Sequence, residues 1–182
     1  MNLYLIGYRG CGKSTVAPLI GQRLGWKSVD ADDLVESDAK STIAEIFAEH
    51  GEAQFRKLET HVIERISSES GLVVSLGGGA PMFPVNRELM AGSGKAVYFS
   101  ASWRVLWSRI AQDETTEDRR PDLTDLGGQA EVEQLLKSRV PVYEACADYT
   151  INVDVSSPQE IADAIVNWFQ SDDKTVEDHV TV

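Results

Sequence analysis

Cysteine is nearly absent. Cys11 and Cys146 are the only two in 182 residues, too few for a disulfide framework or a thiolate metal cluster, so a reducing cytoplasm is the simplest home. Histidine is almost as scarce: His50, His61 and His179 are scattered, none at zinc-ligand spacing from another, and no chemistry is assigned to them. Positive charge is short as well, with 17 Lys and Arg against 29 Asp and Glu for a formal net charge of −12. That balance argues against nucleic acid or an anionic membrane as a partner, and it leaves any phosphate chemistry dependent on a few placed cations. No apolar run approaches the roughly 20 residues of a membrane span. Because core-like sequence starts at Leu3, no room for a signal or transit peptide is expected. Internal repeats are lacking too. What remains is a chain of ordinary hydrophobic content, 42%, and of a length that suits one domain with a full core.

The most informative stretch is Gly7-Tyr8-Arg9-Gly10-Cys11-Gly12-Lys13-Ser14-Thr15, set between the apolar run Leu3 to Ile6 and the helical pattern Val16 to Ile20. It matches a P-loop, Gly-x-x-x-x-Gly-Lys-Ser, in the strand-loop-helix context that such a match requires. Gly7 lets the chain leave the strand sharply, while Gly10 and Gly12 remove side chains that would block the approach of a phosphate. Successive amides and the positive end of the following helix then face the anion. Lys13 is expected to reach the β- and γ-phosphates and Ser14 to offer a hydroxyl to Mg²⁺. Cys11, among the amides, is either an electrostatically favoured thiolate or, more simply, a small packing residue. The bland alternative for the whole stretch is a glycine-rich turn capping a helix.

Along the chain, strands are expected at residues 2–6, 27–29, 72–76, 96–99 and 149–153, those at 2–6 and 72–76 reading as buried, with helical patterns between them. The first helix should end at Leu24, stopped by Gly25, with Pro18 an irregularity inside it. Asp30, Asp32 and Asp33 close the second strand. Asp33 reads as the helix-end acid and Asp30 and Asp32 as a functional pair at a sheet edge, ahead of a helix Leu34 to Asp38. Thr42 to Glu45 has capping-box spacing and opens a short helix ending at Gly51. A longer helix, Glu52 to Ser68, carries Arg56 and Lys57 in its early turns, where cations are either solvated or aimed at an anion. Gly77-Gly78-Gly79 follows the third strand, and such a run implies positive φ or close approach of backbone to something else. Pro84 to Ala91 is a helix. Trp103, Leu106, Trp107 and Ile110 share a helical core face, leaving Arg104 and Arg109 on a more polar one. Gln112 to Thr124 is polar and aperiodic, with Arg119-Arg120 before Pro121, and reads as a lid or as a solvated charged loop. Helix returns from Gly128 to Cys146, with Pro141 expected to kink or divide it, and a last helix carries Ile161, Ile165, Trp168 and Phe169. Residues 171–182 are acidic and expected to fray. Strands alternating with helices imply a parallel, three-layer α/β sandwich.

The ordered set of motifs resembles the shikimate kinase family over residues 2 to 170: GxxGxGKST, then D-x-D at Asp30 to Asp32, FRKLE at Phe55 to Glu59, SLGGG at Ser75 to Gly79, RRP at Arg119 to Pro121, and SRVPVY at Ser138 to Tyr143. The resemblance implies the fold of nucleoside monophosphate kinases, with a five-stranded parallel sheet in order 2-3-1-4-5, a substrate-binding region at about 31–60 and a lid at about 112–126. It implies ATP-dependent phosphorylation of the 3-hydroxyl of shikimate in aromatic amino-acid biosynthesis, by a monomer using Mg²⁺. Under it, Gly10, Cys11, Gly12, Lys13, Ser14 and Thr15 hold the ATP phosphates, and Ser14 and Asp30 serve the metal. Asp32 orients or deprotonates the attacking hydroxyl, while Arg56, Arg139 and the Gly77, Gly78 and Gly79 loop bind the acceptor. Arg120 closes over the transferring group, and Arg109 and Pro158 flank adenine. Two rivals share parts of this pattern: a gluconate-type small-molecule P-loop kinase, and a nucleotide-binding regulator that transfers nothing. The glycine loop together with Arg139 favours shikimate over the first, and an acid at Asp32 argues against the second.

Overall fold

The structure, a computed structural model, describes residues 1–112 and 128–177, with side chains through residue 171. Five short apolar stretches form one sheet: β1 (Asn2–Ile6), β2 (Lys27–Asp30), β3 (Leu72–Ser75), β4 (Gly94–Ser100) and β5 (Tyr149–Asn152). Their order is β2-β3-β1-β4-β5, and every pairing is parallel, with Leu3 beside Val73 and Lys95 and Val97 beside Tyr149. Parallel neighbours need a crossover, and helices supply it: α1 (Lys13–Leu24), α2 (Ala31–Ala39), α3 (Ile43–Ser67), α4 (Pro84–Ser93), α5 (Trp103–Gln112), α6 (Gly128–Cys146) and α7 (Pro158–Glu177). Sheet order and layering agree with the sequence expectation.

Side chains of a strand alternate between faces, so β1 serves two cores. Leu3 and Leu5 join Val97, Phe99 and the apolar faces of α1 and α7, while Tyr4 and Ile6 join Val74, Tyr98 and those of α2 and α3. With both faces covered, all of β1 is buried, and each such aliphatic side chain contributes about 1.5–3 kcal/mol on leaving water.

Helix ends follow local chemistry. Gly25 takes φ 69° and its N–H reaches the Gly21 carbonyl, the expected stop. The Thr42–Glu45 capping box forms, and Gly51, at φ 73° and ψ 172°, breaks α3 into the two helices expected on either side of it. Two expectations are corrected. The acid that caps α2 is Asp30, whose Oδ1 accepts the Asp32 N–H at 3.0 Å, so the helix begins at Ala31 with Asp33 already in its first turn. Pro141 does not divide α6, which runs on through it, because one absent N–H leaves the flanking helical bonds in place. The last helix, α7, runs to Glu177, seven residues past Gln170, where the apolar pattern stops. Pro18 is likewise accommodated inside α1.

Candidate active site

All five strands point the same way, so the loops after β1, β2 and β3 emerge along one sheet edge, where α/β sheets place their ligands. Residues of these loops, Gly10 to Thr15, Asp30, Asp32, Gly77 and Gly78, line a single cleft of about 530 Å³, with Arg109 and Pro158 at the start of α7 closing its far end. Arg109 is held there by a hydrogen bond from Nη2 to the Val153 carbonyl at 2.8 Å.

Gly7, Gly10 and Gly12 all have positive φ, as the tight loop requires. Gly12 caps α1 with no side-chain hydrogen bond, so no cap side chain competes with an anion for the first-turn amides. Lys13 is buried, and its ammonium donates to the carbonyls of Gly7 at 2.9 Å and Tyr8 at 3.0 Å and to Cys11 Sγ at 3.4 Å. Cys11 therefore packs under the loop as a soft partner of Lys13. Ser14 Oγ donates to Asp30 Oδ2 at 2.6 Å and lies 3.1 Å from Ser75 Oγ. Asp30 thus ties the P-loop to the start of α2, and one residue beyond Ala31 the carboxylate of Asp32 reaches the cleft wall.

The glycine run acts through close approach. Gly77, Gly78 and Gly79 are absent from the residues with positive φ. A Cβ on Gly78 would lie 3.2 Å from the Gly7 carbonyl oxygen, and one on Gly79 would lie 2.6 Å from Arg56 Nη1. Glycine at these positions lets the third loop press against both the P-loop and a guanidinium.

Arg56 is aimed at anions, and the anions in place are its own neighbours on α3. Nε and Nη2 donate to Glu52 Oε1 at 3.1 and 2.9 Å, and Nη1 donates to Glu59 Oε2 at 3.0 Å. The rings of Phe55 and Phe83 flank the guanidinium, 5.0 and 5.6 Å from Cζ. Glu59 is fully buried, and its Oε1 has no hydrogen-bond partner among the described residues. Desolvation pushes its carboxyl above the ordinary range, against the pull of Arg56 and, more weakly, of Arg139. Arg139 stacks over the Tyr8 ring at 5.6 Å. Beside it, the Tyr143 hydroxyl donates to the Gly78 carbonyl at 2.6 Å, and burial raises that phenol far above its ordinary value, so it stays a donor. Arg56 thus rests on Glu59 beside Gly79, Arg139 is near enough to act weakly on the same charge, and neither lines the main cleft. They stand on the same side of the molecule as Lys13, since Tyr8 offers its carbonyl to Lys13 and its ring to Arg139.

Of the residues singled out from sequence, Gly10 to Thr15, Asp30, Asp32, Gly77, Gly78, Arg109 and Pro158 meet in the cleft, and Gly79, Arg56 and Arg139 form the adjoining cluster. Arg119, Arg120 and Pro121 lie outside the described residues. Sequence reasoning missed Glu59, although its three-residue offset from Arg56 places both on one helical face. It also assigned no role to Tyr8 and Arg9, which fill two of the variable positions of the P-loop, to Ser75, quoted only as the start of the SLGGG motif, or to Glu131, for which no local pattern gives a signal.

The site offers an amide cradle and a lysine for phosphate, oxygen donors beside them, a further acid at the cleft wall, and two arginines beside the glycine loop. That is an arrangement for holding a polyphosphate next to a small acidic acceptor. Comparison with known proteins agrees. The shikimate kinase family model matches residues 9–170. A shikimate kinase of Rhodopirellula baltica is 44% identical over 160 residues, covering 88% of this chain and 86% of that one, and one of Trichormus variabilis is 38% identical over 172 residues, covering 94% and 92%. Among solved structures, the shikimate kinase from Acinetobacter baumannii in complex with shikimate superposes with a TM-score of 0.86 at 32% identity, covering 94% of this chain and 93% of that one. The shikimate kinase from Aquifex aeolicus does so with a TM-score of 0.76 at 29% identity, covering 94% and 98%. With its fold, its ordered motifs and these relatives in agreement, the chain belongs to the shikimate kinase family and is an enzyme of the kinase class.

Proposed function

We propose that the protein transfers the γ-phosphoryl group of ATP to the 3-hydroxyl of shikimate, yielding shikimate 3-phosphate and ADP, with a division of labour set by the geometry above. Lys13 and the amides from Gly10 to Thr15 bind the phosphates. Asp32 accepts the hydrogen bond of the attacking hydroxyl and aligns it, and takes its proton as the bond to phosphorus forms. Arg56 and Arg139 grip the acceptor carboxylate, with the Gly77 to Gly79 loop as the backbone wall beside it, since a planar guanidinium fork suits a carboxylate. Arg109 and Pro158 flank the adenine, and Arg120 is assigned to the transferring group on sequence resemblance alone. The supporting observation is that Tyr8 joins the Lys13 ammonium to the Arg139 guanidinium, placing phosphate-side and acceptor-side cations on either side of one residue.

Ser14 and Asp30 fit Mg²⁺. They present a hydroxyl and a carboxylate 2.6 Å apart, hard oxygen donors of the kind this ion takes, usually one or two from protein and the rest from water and phosphate. Bound there, the ion would neutralise charge on the phosphates. Asp30 and Ser75 keep the Ser14 hydroxyl directed to that place. We further propose that the enzyme acts as a cytoplasmic monomer, its partners being the two small substrates rather than nucleic acid or membrane.

The test is ADP release with ATP and Mg²⁺ over a panel of acceptors. Turnover is expected with shikimate and not with gluconate or nucleoside monophosphates. Turnover with gluconate alone would move the protein to the sugar-acid kinases, and none with any acceptor would make it a nucleotide-binding regulator.

A further inference from the structure

Two residues at variable positions of the P-loop, Tyr8 and Arg9, both engage α6. Tyr8 is 1% exposed although it sits in a loop, and its ring lies under the α6 guanidinium of Arg139, 5.6 Å from Cζ. Arg9 turns toward the same helix, with Nη2 3.5 Å from Oε1 of Glu131, a carboxylate with no exposed surface, while its own side chain keeps 16% of its surface and lines the cleft. The exchange is reciprocal: the helix supplies an arginine that the loop holds, and the loop supplies an arginine that the helix holds. Glu131, Arg139 and Tyr143 fall eight and twelve residues apart along α6, which at 3.6 residues per turn keeps them in one sector of its surface. The third of them fastens that sector to the glycine loop through the Gly78 carbonyl at 2.6 Å. Gly78 in turn abuts the P-loop, since a Cβ there would lie 3.2 Å from the Gly7 oxygen and 3.5 Å from the Arg9 nitrogen.

Buried charges carry a large desolvation penalty unless paired, so a wholly buried carboxylate such as Glu131 makes the position of its partner Arg9 strongly preferred. A cation over an aromatic face gains about 0.5–2 kcal/mol, more as water is excluded. Neither contact is needed to fold a P-loop, whose turn is already provided by Gly7, Gly10 and Gly12.

We propose that Tyr8 and Glu131 are positioning residues that lock α6 against the phosphate loop, so that Arg139 is presented to the acceptor carboxylate in register with the bound nucleotide. This rests on the role given to Arg139 above and adds the residues that place it. Their removal should loosen acceptor binding while leaving the phosphate cradle intact.

The experiment compares wild type, Tyr8→Leu, Tyr8→Phe, Glu131→Gln and Arg139→Ala in steady-state kinetics against each substrate, with a thermal melt of each protein. Tyr8→Leu and Glu131→Gln are expected to raise the KM for shikimate about three- to tenfold and to leave the KM for ATP within about twofold. Tyr8→Phe keeps the ring and should match wild type, which a general packing defect would not predict. An unchanged shikimate KM in both folded Tyr8→Leu and Glu131→Gln overturns the proposal, as do equal losses for the two substrates. If Tyr8→Leu does not fold, the near-isosteric Glu131→Gln decides alone. Arg139→Ala separates the levels: a raised shikimate KM there with none in the other variants removes the brace only, whereas no change there removes the role of Arg139 and the brace with it.

Discussion

Gly79 and the Arg56 guanidinium compete for the same space. A methyl group at residue 79 would lie 2.6 to 2.8 Å from three guanidinium atoms, and the atoms that must give way are the end of a flexible side chain. Gly79→Ala is therefore expected to leave the fold standing, with a melting temperature close to wild type, while displacing Arg56 from Glu52 and Glu59 and raising the shikimate KM about tenfold, near 1.4 kcal/mol. An unfolded variant, or one with unaltered KM, would show that the contact has another purpose. Sequence alone indicated that the three glycines bordered something, but with positive φ and close approach equally open. Which one applies depends on a side chain 23 positions earlier. Asp32 is simpler. Its carboxylate stands at the cleft wall, and Asp32→Asn keeps the shape while removing the charge and the basic oxygen. Turnover should fall about a hundredfold or more, with ATP binding measured by calorimetry unchanged. Full activity would take Asp32 out of the chemistry.

At the scale of elements, the α3 cap carries a pH signature. The Glu45 carboxylate accepts the Thr42 N–H at 2.7 Å and the Ser41 and Thr42 hydroxyls at 2.9 Å each. These hydrogen bonds, the backbone one first, hold its pKa below the ordinary value. A depressed carboxyl stabilises the fold above its unfolded pKa and ceases to do so as pH falls through the folded one. The gap in melting temperature between wild type and Glu45→Gln should accordingly be widest near neutral pH and narrow as pH falls below the ordinary glutamate range. A gap independent of pH would mean that the cap acts through its shape alone. This cap was legible because a capping box is a pattern of four consecutive residues. The α2 cap was not: Asp30, Asp32 and Asp33 are chemically alike, and only the point where β2 stops decides which becomes the cap.

The described residues pack into two cores on the two faces of one sheet, and the site draws on both, with Tyr8 and Cys11 in one and Tyr143 in the other. Phe169 lies in the α1–α7 layer, edge-on to Trp26 with ring centroids 5.3 Å apart and next to Trp168, which stacks on Tyr149. Phe169 is absent from the cleft lining. Phe169→Ala is expected to cost about 3–5 kcal/mol in urea unfolding and to leave kcat/KM for both substrates near wild type at temperatures where the variant is folded. A comparable loss of catalytic efficiency would reveal a coupling between this layer and the sheet edge that the contacts do not show.

Periodicity and short motifs are local, and whatever depends on residues within about one turn or one strand could be read directly: five strands, the P-loop, the stop at Gly25, the break at Gly51, the capping box. Local pattern also assigned the phosphate side of the site, because a P-loop contains its own ligands. The proposed acceptor side is assembled from four separate segments, the P-loop, α3, the glycine loop and α6, and no window of sequence contains their distances. Only the folded chain decided that Arg56 would rest on Gly79, that Glu59 would be buried against Arg56, and that Tyr8 and Glu131 would join the phosphate loop to α6. The physical reason is that desolvation and close packing act between whatever surfaces the parallel sheet brings together, without regard to how far apart those surfaces lie along the chain.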